Sequence, residues 1–117
     1  MNSDFPHQGA IYLSKALKQA GDTKERPVII VSNDIRNANS RTLLVVPVSS
    51  ALSSAMDNPC RVLLPAGEGG LERDSAAMTD LITALKRKHL KQGPYGNISQ
   101  ARLRAIQQGI QIAIGVF

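Results

Sequence analysis

The side chains able to do chemistry in this chain are few, and their spacing removes most familiar arrangements. His7 and His89 stand far apart, Cys60 is alone, and nothing has the spacing of a zinc-type ligand set. Glu72 and Asp74 lie close together, but with Arg73 between them beside a glycine-rich stretch they read as shaping a turn. Gly67-x-Gly69-Gly70 lacks the Lys-Ser/Thr of a phosphate loop and the strand-to-helix setting of a dinucleotide fingerprint. No serine sits in a nucleophile elbow with a matching His/Asp set. That leaves one guanidinium and one hydroxyl. Arg26 precedes Pro27 where a polar loop enters the most apolar run of the chain. Fixed by its proline and unable to sink into a core, it presents its charge at the rim of a sheet. Ser49 closes the run Thr42–Ser49 just after Pro47. If the two strands are neighbours in suitable directions, both side chains meet at one edge. On the residues alone, a surface arginine and a strand-ending serine with no shared task is the commoner outcome.

The elements that must position them are read from the apolar pattern. Gly9–Leu13 reads as a short first strand, and Ser14–Glu25 as loop, although Lys15–Ala20 has the composition of one helical turn. Pro27–Ser32 (PVIIVS) is an unbroken β-branched run, the mark of a strand buried on both faces. Asn33–Arg41 is rich in Asn, Asp, Ser and Arg and reads as a turn-forming connection. Thr42–Ser49 (TLLVVPVS) is a second strong strand, with Pro47 marking an edge or a bulge because it has no N–H to donate. Ala51–Pro59 is small and polar, Cys60–Leu64 is a strand, and Ala66–Gly70 is a turn. Ser75–Leu85 is ambiguous between strand and helix, Lys86–Lys91 (KRKHLK) is a basic connection, and Gly93–Gly96 is a turn. The one convincing helix starts after Ser99 as N-cap, with Leu103, Ile106, Ile110 and Ala113/Ile114 at helical spacing. Gly109 inside it costs about 1 kcal/mol relative to Ala, so close packing is expected there. Short strands closed by one helix predict an α+β fold, a small β-barrel or curled sheet.

Composition bounds the partners. The 117 residues suit one domain, and 43% hydrophobic with 20% charged residues fits a globular chain. A net charge of +5 points to a polyanion: nucleic acid, an anionic membrane or an acidic protein segment. Only Phe5, Phe117, Tyr12 and Tyr95 are aromatic, poor material for a multi-base stacking platform, so any RNA contact is expected to rest on phosphates and hydrogen bonds. No apolar run spans a bilayer, no secretory signal is visible, and the lone Cys60, read as a small half-buried hydrophobe, agrees with a cytoplasmic location.

Four blocks then acquire a common meaning: Gly9–Tyr12; Arg26–Asp34 (RPVIIVSND); Val45–Ser50 (VVPVSS); and Leu64-Pro65 with Gly69–Ser75 (GGLERDS). In order and approximate spacing the chain resembles the MazF/PemK toxin family from Gly9 onward. The Arg26 and Pro47–Ser50 blocks carry most of the likeness, and the glycine turn supports it. The resemblance implies one toxin domain over residues 1–117, a small SH3-like barrel of the CcdB/PemK-like type with a C-terminal helix. It further implies a homodimer, metal-independent cleavage of single-stranded RNA without a cofactor, and restraint by an antitoxin whose acidic, disordered tail folds on binding.

By the same resemblance Arg26 matches the catalytic arginine and Ser49 the catalytic threonine or serine, while Asp80 falls on an acidic position that assists in some members. Lys24, Asn33, Arg36 and Ser50 are candidates for RNA contacts. The residue types suit RNA cleavage by its own 2′-OH: a guanidinium offers a planar fork to phosphate oxygens and stays charged, and a hydroxyl adds a hydrogen bond. A guanidinium is a poor base, so His89 is an alternative proton acceptor, with a solvated histidine among lysines as the plainer reading. The chain departs from the family at Leu13–Ala16, where a Trp and acidic residues are common, and at Leu81 and Thr83, where Gln and Arg are common. The cleavage sequence therefore does not transfer. Two alternatives remain on the same fold: a non-enzymatic gyrase poison, disfavoured by the ending Ile114-Gly115-Val116-Phe117 without Trp, and an inactive homologue that binds only nucleic acid or antitoxin.

Overall fold

Residues 4–15 and 25–116 are described by a computed structural model. The elements run β1 (Ala10–Ser14), β2 (Arg26–Ile30), α1 (Asp34–Asn39), β3 (Thr42–Ser49), α2 (Leu52–Ala55), β4 (Val62–Leu64), β5 (Ser75–Ala77), β6 (Thr83–Lys86), β7 (Leu90–Asn97) and α3 (Gln100–Ala113). Short 3-10 turns occupy Glu68–Gly70, Thr79–Leu81 and Arg87–His89. All pairings are antiparallel, in the order β4-β5-β3-β2-β1-β7, with β6 also on β3. The class is α+β, as expected: a curled sheet backed by a C-terminal helix.

The β2 run is buried on both faces. Ile29 and Val31 join a core with Ile11, Val46, Leu64, Leu103 and Ile106, while Val28 and Ile30 join a second with Ala10, Leu43, Val45 and Leu85. That split arises because side chains alternate across a strand. Four such residues contribute roughly 6–12 kcal/mol of gross burial, which makes β2 the fixed reference for whatever its ends carry. In β3, Thr42–Val45 pair with β6, and Val48 and Ser49 pair with β5. Pro47 stands at the switch between these partners, its carbonyl accepting from the Met78 N–H at 2.9 Å. The strand is therefore central rather than an edge; proline is tolerated because its missing N–H falls at a break in the ladder.

Other departures from expectation have local causes. Asn33–Arg41 holds a helix, α1, whose N-cap Asn33 accepts from Arg36 N at 2.8 Å. The buried Asn37 anchors it, donating to the Ser32 carbonyl at 2.8 Å and hydrogen-bonding the Ser32 hydroxyl, which accepts from Leu44 N at 3.1 Å. An Asn33 cap and the buried Asn37–Ser32 hydrogen bonds thus hold a helix within a turn-rich composition, and apolar periodicity could not report them. Gly93–Gly96 is part of β7, an edge strand able to hold Pro94 after a cis Gly93–Pro94 peptide. Gly96 has no room for a side chain, since a Cβ would fall 1.9 Å from the Gly69 carbonyl oxygen. The stretch 75–85 resolves into strand, 3-10 turn and strand; Lys86 ends β6, and Leu90 already belongs to β7. Cys60 precedes β4 rather than opening it and is buried. Ser14 closes β1, and most of the expected loop after it lies outside the described residues.

α3 begins where expected, Ser99 Oγ accepting from Arg102 N at 3.2 Å. Glu68 reaches across from its turn to accept from Ser99 N at 2.7 Å. Gly109 is required by packing: a Cβ there would meet the Cys60 carbonyl oxygen at 2.3 Å. Leu103 and Ile106 are buried against the sheet, but the expected core positions Ala113 and Ile114 are exposed. Beneath α3 lie β4 and the Thr79–Leu81 turn, and the last helical turn runs past them, leaving Ile112 and Val116 exposed as well.

Candidate active site

The register of β2 on β3 brings Arg26 and Ser49 together. Val28 pairs with Pro47, and continuing that antiparallel register by two residues sets Arg26 opposite Ser49. Residues opposed in this way project to the same face. The row extends on both sides, Arg26 pairing with Ser14 of β1 and Ser49 with Ala76 of β5. Both line one cleft of about 180 Å³, with Glu25, Ser50, Ala51 and Ser75 among its other walls. Arg26 is exposed while Val28, two residues along the same face, is fully buried, so the guanidinium extends from a fixed base. Ser49 Oγ accepts from Ala51 N at 3.1 Å. A hydroxyl accepting from backbone keeps its own proton to donate.

A larger groove of about 720 Å³ adjoins this cleft, with Pro27 and Ser75 as common walls and Leu13, Leu71, Arg73 and Pro94 further along. The segment Leu71–Ser75 thus shapes both concavities; in sequence only the block Gly69–Ser75 hinted at it, as a turn. Asp74 holds that segment by accepting from Ala66 N at 2.8 Å, and Ser75 Oγ donates to the Arg73 carbonyl at 2.9 Å.

The remaining candidates fall into three groups. Ser50 lines the cleft. Asp80 does not: its carboxylate is gripped by Arg61, Nε to Oδ1 at 2.8 Å and Nη2 to Oδ2 at 3.2 Å. That guanidinium hydrogen-bonding holds the Asp80 carboxyl below its usual range, against the opposing effect of burial. Arg61 Nη1 also donates to the Ala55 carbonyl at 3.1 Å, so the pair restrains α2, which directly succeeds the cleft wall Ser50–Ala51. His89 lines neither concavity; it precedes Leu90, the partner of Ser14, two strands or about 10 Å across the sheet from Arg26. Asn33 and Arg36 sit beyond the opposite end of β2, on the order of 20 Å away by strand rise. There Asn33 caps α1, and Arg36 clamps the start of β3, donating to the Thr42 carbonyl at 2.7 Å and Oγ1 at 3.0 Å. Lys24 lies outside the described residues. The basic run forms its own concavity, where Arg41 joins Lys86, Arg87 and Lys88.

Among the described residues no three His, Cys, Asp or Glu side chains are grouped to hold a metal ion, and no helix is long and apolar enough to cross a membrane. The cleft offers a fixed cation, a hydroxyl and one carboxylate, a set suited to an anionic group.

Comparison with known proteins converges on one family. Residues 7–114 match the model of the PemK-like, MazF-like toxins of type II toxin–antitoxin systems. The chain is 31% identical over 98 residues to Endoribonuclease MazF9 of Mycobacterium tuberculosis, covering 80% of each protein. It is 25% identical over 111 residues to Endoribonuclease MazF of Staphylococcus saprophyticus, covering 93% of this chain and 91% of that one. Its fold superposes with a TM-score of 0.77 on an endoribonuclease from a mycobacterial species solved with its cognate antitoxin, at 20% identity over 96% and 97% of the two chains. A chain of the MazE–MazF complex from Deinococcus radiodurans superposes with a TM-score of 0.75, at 18% identity over 97% and 98%. The family pattern over residues 7–114 and the 31% identical relative show that this chain belongs to the PemK-like, MazF-like toxins of type II toxin–antitoxin systems.

Proposed function

We propose that the protein is an endoribonuclease that cleaves single-stranded RNA in the Arg26–Ser49 cleft without a metal ion or other cofactor. The observation that carries this reading is the register that gives the two side chains one cleft, in a chain whose relatives are named endoribonucleases. The RNA 2′-oxygen attacks the adjacent phosphorus and the P–O5′ bond breaks, leaving a 2′,3′-cyclic phosphate and a 5′-OH. Arg26 binds the non-bridging oxygens and offsets the charge that builds on the phosphorane, the kind of term that dominates such reactions. Ser49 donates a hydrogen bond to the same group. The proton of the 2′-OH goes to Glu25, the carboxylate lining the cleft, which also lies 4.0 Å from Lys15, and the leaving 5′-oxygen takes its proton from solvent. His89 is set aside as the base because it stands outside the cleft, and Asp80 acts as a positioning residue through Arg61.

The whole chain, residues 1–117, acts as one toxin domain in the cytoplasm, where its substrate is. Its antitoxin is a protein with an acidic, disordered segment, a reading supported by the +5 charge and by the antitoxin complexes among the fold's neighbours. Exposed Ile112, Ile114 and Val116 at the end of α3 support a homodimer.

Incubation with a long RNA in excess EDTA tests the reading. Discrete fragments with cyclic-phosphate ends, absent with Arg26→Ala at unchanged circular dichroism, are expected. Intact RNA, or gyrase-dependent DNA breakage in its place, overturns it.

A further inference from the structure

The chain has only six side chains with aromatic rings, two each of Phe, Tyr and His and no Trp. Three of them, Phe5, His7 and Tyr12, line a single concavity of about 350 Å³ with Asp4, Pro6 and Pro94. The Phe5 and His7 rings pack at 4.3 Å between centroids with 40° between planes. The His7 ring is anchored, Nδ1 hydrogen-bonding Asp34 Oδ2 at 3.0 Å, and backbone and Gln8 contacts hold the lead-in beside it. Gln8 N and Nε2 donate to Asp34 Oδ1 and the Val31 carbonyl at 2.8 and 2.9 Å, and Gly9 N donates to the Ile30 carbonyl at 2.7 Å. A cation stands at the rim: Arg87 Nη2 donates to the Asp4 carbonyl at 2.6 Å. The same guanidinium is near enough to Tyr12 to partly offset the rise that burial imposes on its hydroxyl pKa.

The pocket adjoins the proposed reaction site. Pro94 is a wall common to it and to the large groove, and Pro27 and Ser75 are common to that groove and the Arg26–Ser49 cleft. Across the β1–β2 ladder Tyr12 pairs with Val28 and Ser14 with Arg26, which makes Tyr12 and Arg26 diagonal neighbours on one face. Diagonal positions are roughly 7–8 Å apart, within reach of one extended polynucleotide.

We infer that the Phe5–His7–Tyr12 pocket is a stacking subsite for one unpaired base of the RNA, close to the scissile phosphate. An unpaired base has two flat faces that stack on aromatic rings, and Arg87 at the rim meets its phosphate. Although too poor in aromatics for a stacking sheet, the chain concentrates half of its rings at one place. The inference rests on the ribonuclease reading and adds that cleavage depends on the presence of a base at one defined position beside the cut.

The test uses the whole protein and a 2′-O-methyl oligonucleotide spanning a site cleaved in long RNA, which binds but has no 2′-OH to attack. A single abasic position is moved along it and affinity is read by fluorescence anisotropy. Omitting the one stacked base is expected to weaken binding by about 5- to 150-fold. Phe5→Leu removes that sensitivity and leaves the other positions as they were; Phe5→Trp keeps it. On unmutated protein, 2-aminopurine at the sensitive position is quenched on binding, which covers the case of an unfolded variant. An abasic profile unchanged by Phe5→Leu, or one with no sensitive position, overturns the subsite while cleavage of unmodified RNA leaves the ribonuclease reading standing. Weakened binding of a Glu/Asp-rich peptide in Phe5→Leu, with RNA binding unaltered, assigns the pocket to an antitoxin segment and overturns it too. Absence of any RNA cleavage overturns both readings.

Discussion

The Arg61–Asp80 pair gives the sharpest test of how the fold serves the cleft, because the proposed role of Asp80 is mechanical where the family resemblance implied an accessory one. Removing the guanidinium with Arg61→Met keeps most of the stem but strands a carboxylate and the Ala55 carbonyl. Two unit charges at about 4 Å attract by about 4 kcal/mol at an effective dielectric near 20, and the water each group gives up takes part of that back. Exposed pairs contribute about 0.2–1 kcal/mol, and breaking buried ones costs about 3–5 kcal/mol. Here the side chains keep 15% and 25% of their surface, so the pair lies between these limits. A coupling of about 2 kcal/mol is expected from the cycle Arg61→Met, Asp80→Asn and the double variant, equivalent to a urea midpoint shift of about 1 M. The pH arm has a definite sign. Arg61 lowers the folded-state pKa of Asp80, so this stability is fully present above the unfolded carboxylate value of about 3.9 and disappears as pH falls through the folded value. The deficit of Arg61→Met should therefore be complete at about pH 7 and shrink towards about pH 2. A coupling under about 0.5 kcal/mol, or a deficit equal at both ends of that range, would refute the tether.

The same geometry sets further outcomes. Arg26→Ala is expected to lower kcat by about 10²–10³-fold with Arg26→Lys recovering only part, and Ser49→Ala to lower it roughly tenfold, read as initial rates on one RNA at unchanged circular dichroism. Gly109→Ala gains about 1 kcal/mol of helix propensity. It nevertheless forces a Cβ to 2.3 Å from a carbonyl pinned by the Thr79 hydroxyl at 2.6 Å. Overpacking of that kind costs about 1–3 kcal/mol, so Tm should fall by several degrees, and a rise would show that α3 can move away freely. Glu68→Ala exposes the Ser99 N–H and should lower stability by about 0.5–1 kcal/mol. Because that N–H lowers the Glu68 pKa, the difference should be present at neutral pH and vanish as pH falls through the depressed value; chemical denaturation at two pH values checks it.

Much was legible in the residues because the information was local. The β-branched run at β2 needs no partner to be named as a strand buried on both faces, since its continuity already excludes a solvent-facing side. Ser99 and the leucine–isoleucine stripe after it announce a helix, and Gly109 announces a close approach, because capping and propensity act within a few residues. Arg26 and Ser49 stand out through nearby prolines, Pro27 directly after the one and Pro47 shortly before the other. Their meeting was not legible. It depends on β2 and β3 being neighbours in one particular register, and a slip of one residue would have turned the serine to the other face. The same limit explains α1, held by the buried Asn37; Asp80, claimed by an arginine remote in sequence; His89, left two strands from the Arg26–Ser49 cleft; and the three rings gathered at Phe5, His7 and Tyr12. Composition and spacing decided which side chains the chain had available and which segments could bury themselves. The tertiary structure decided which of those side chains share a cavity, because proximity between distant residues is set by strand register and packing rather than by anything written along the chain.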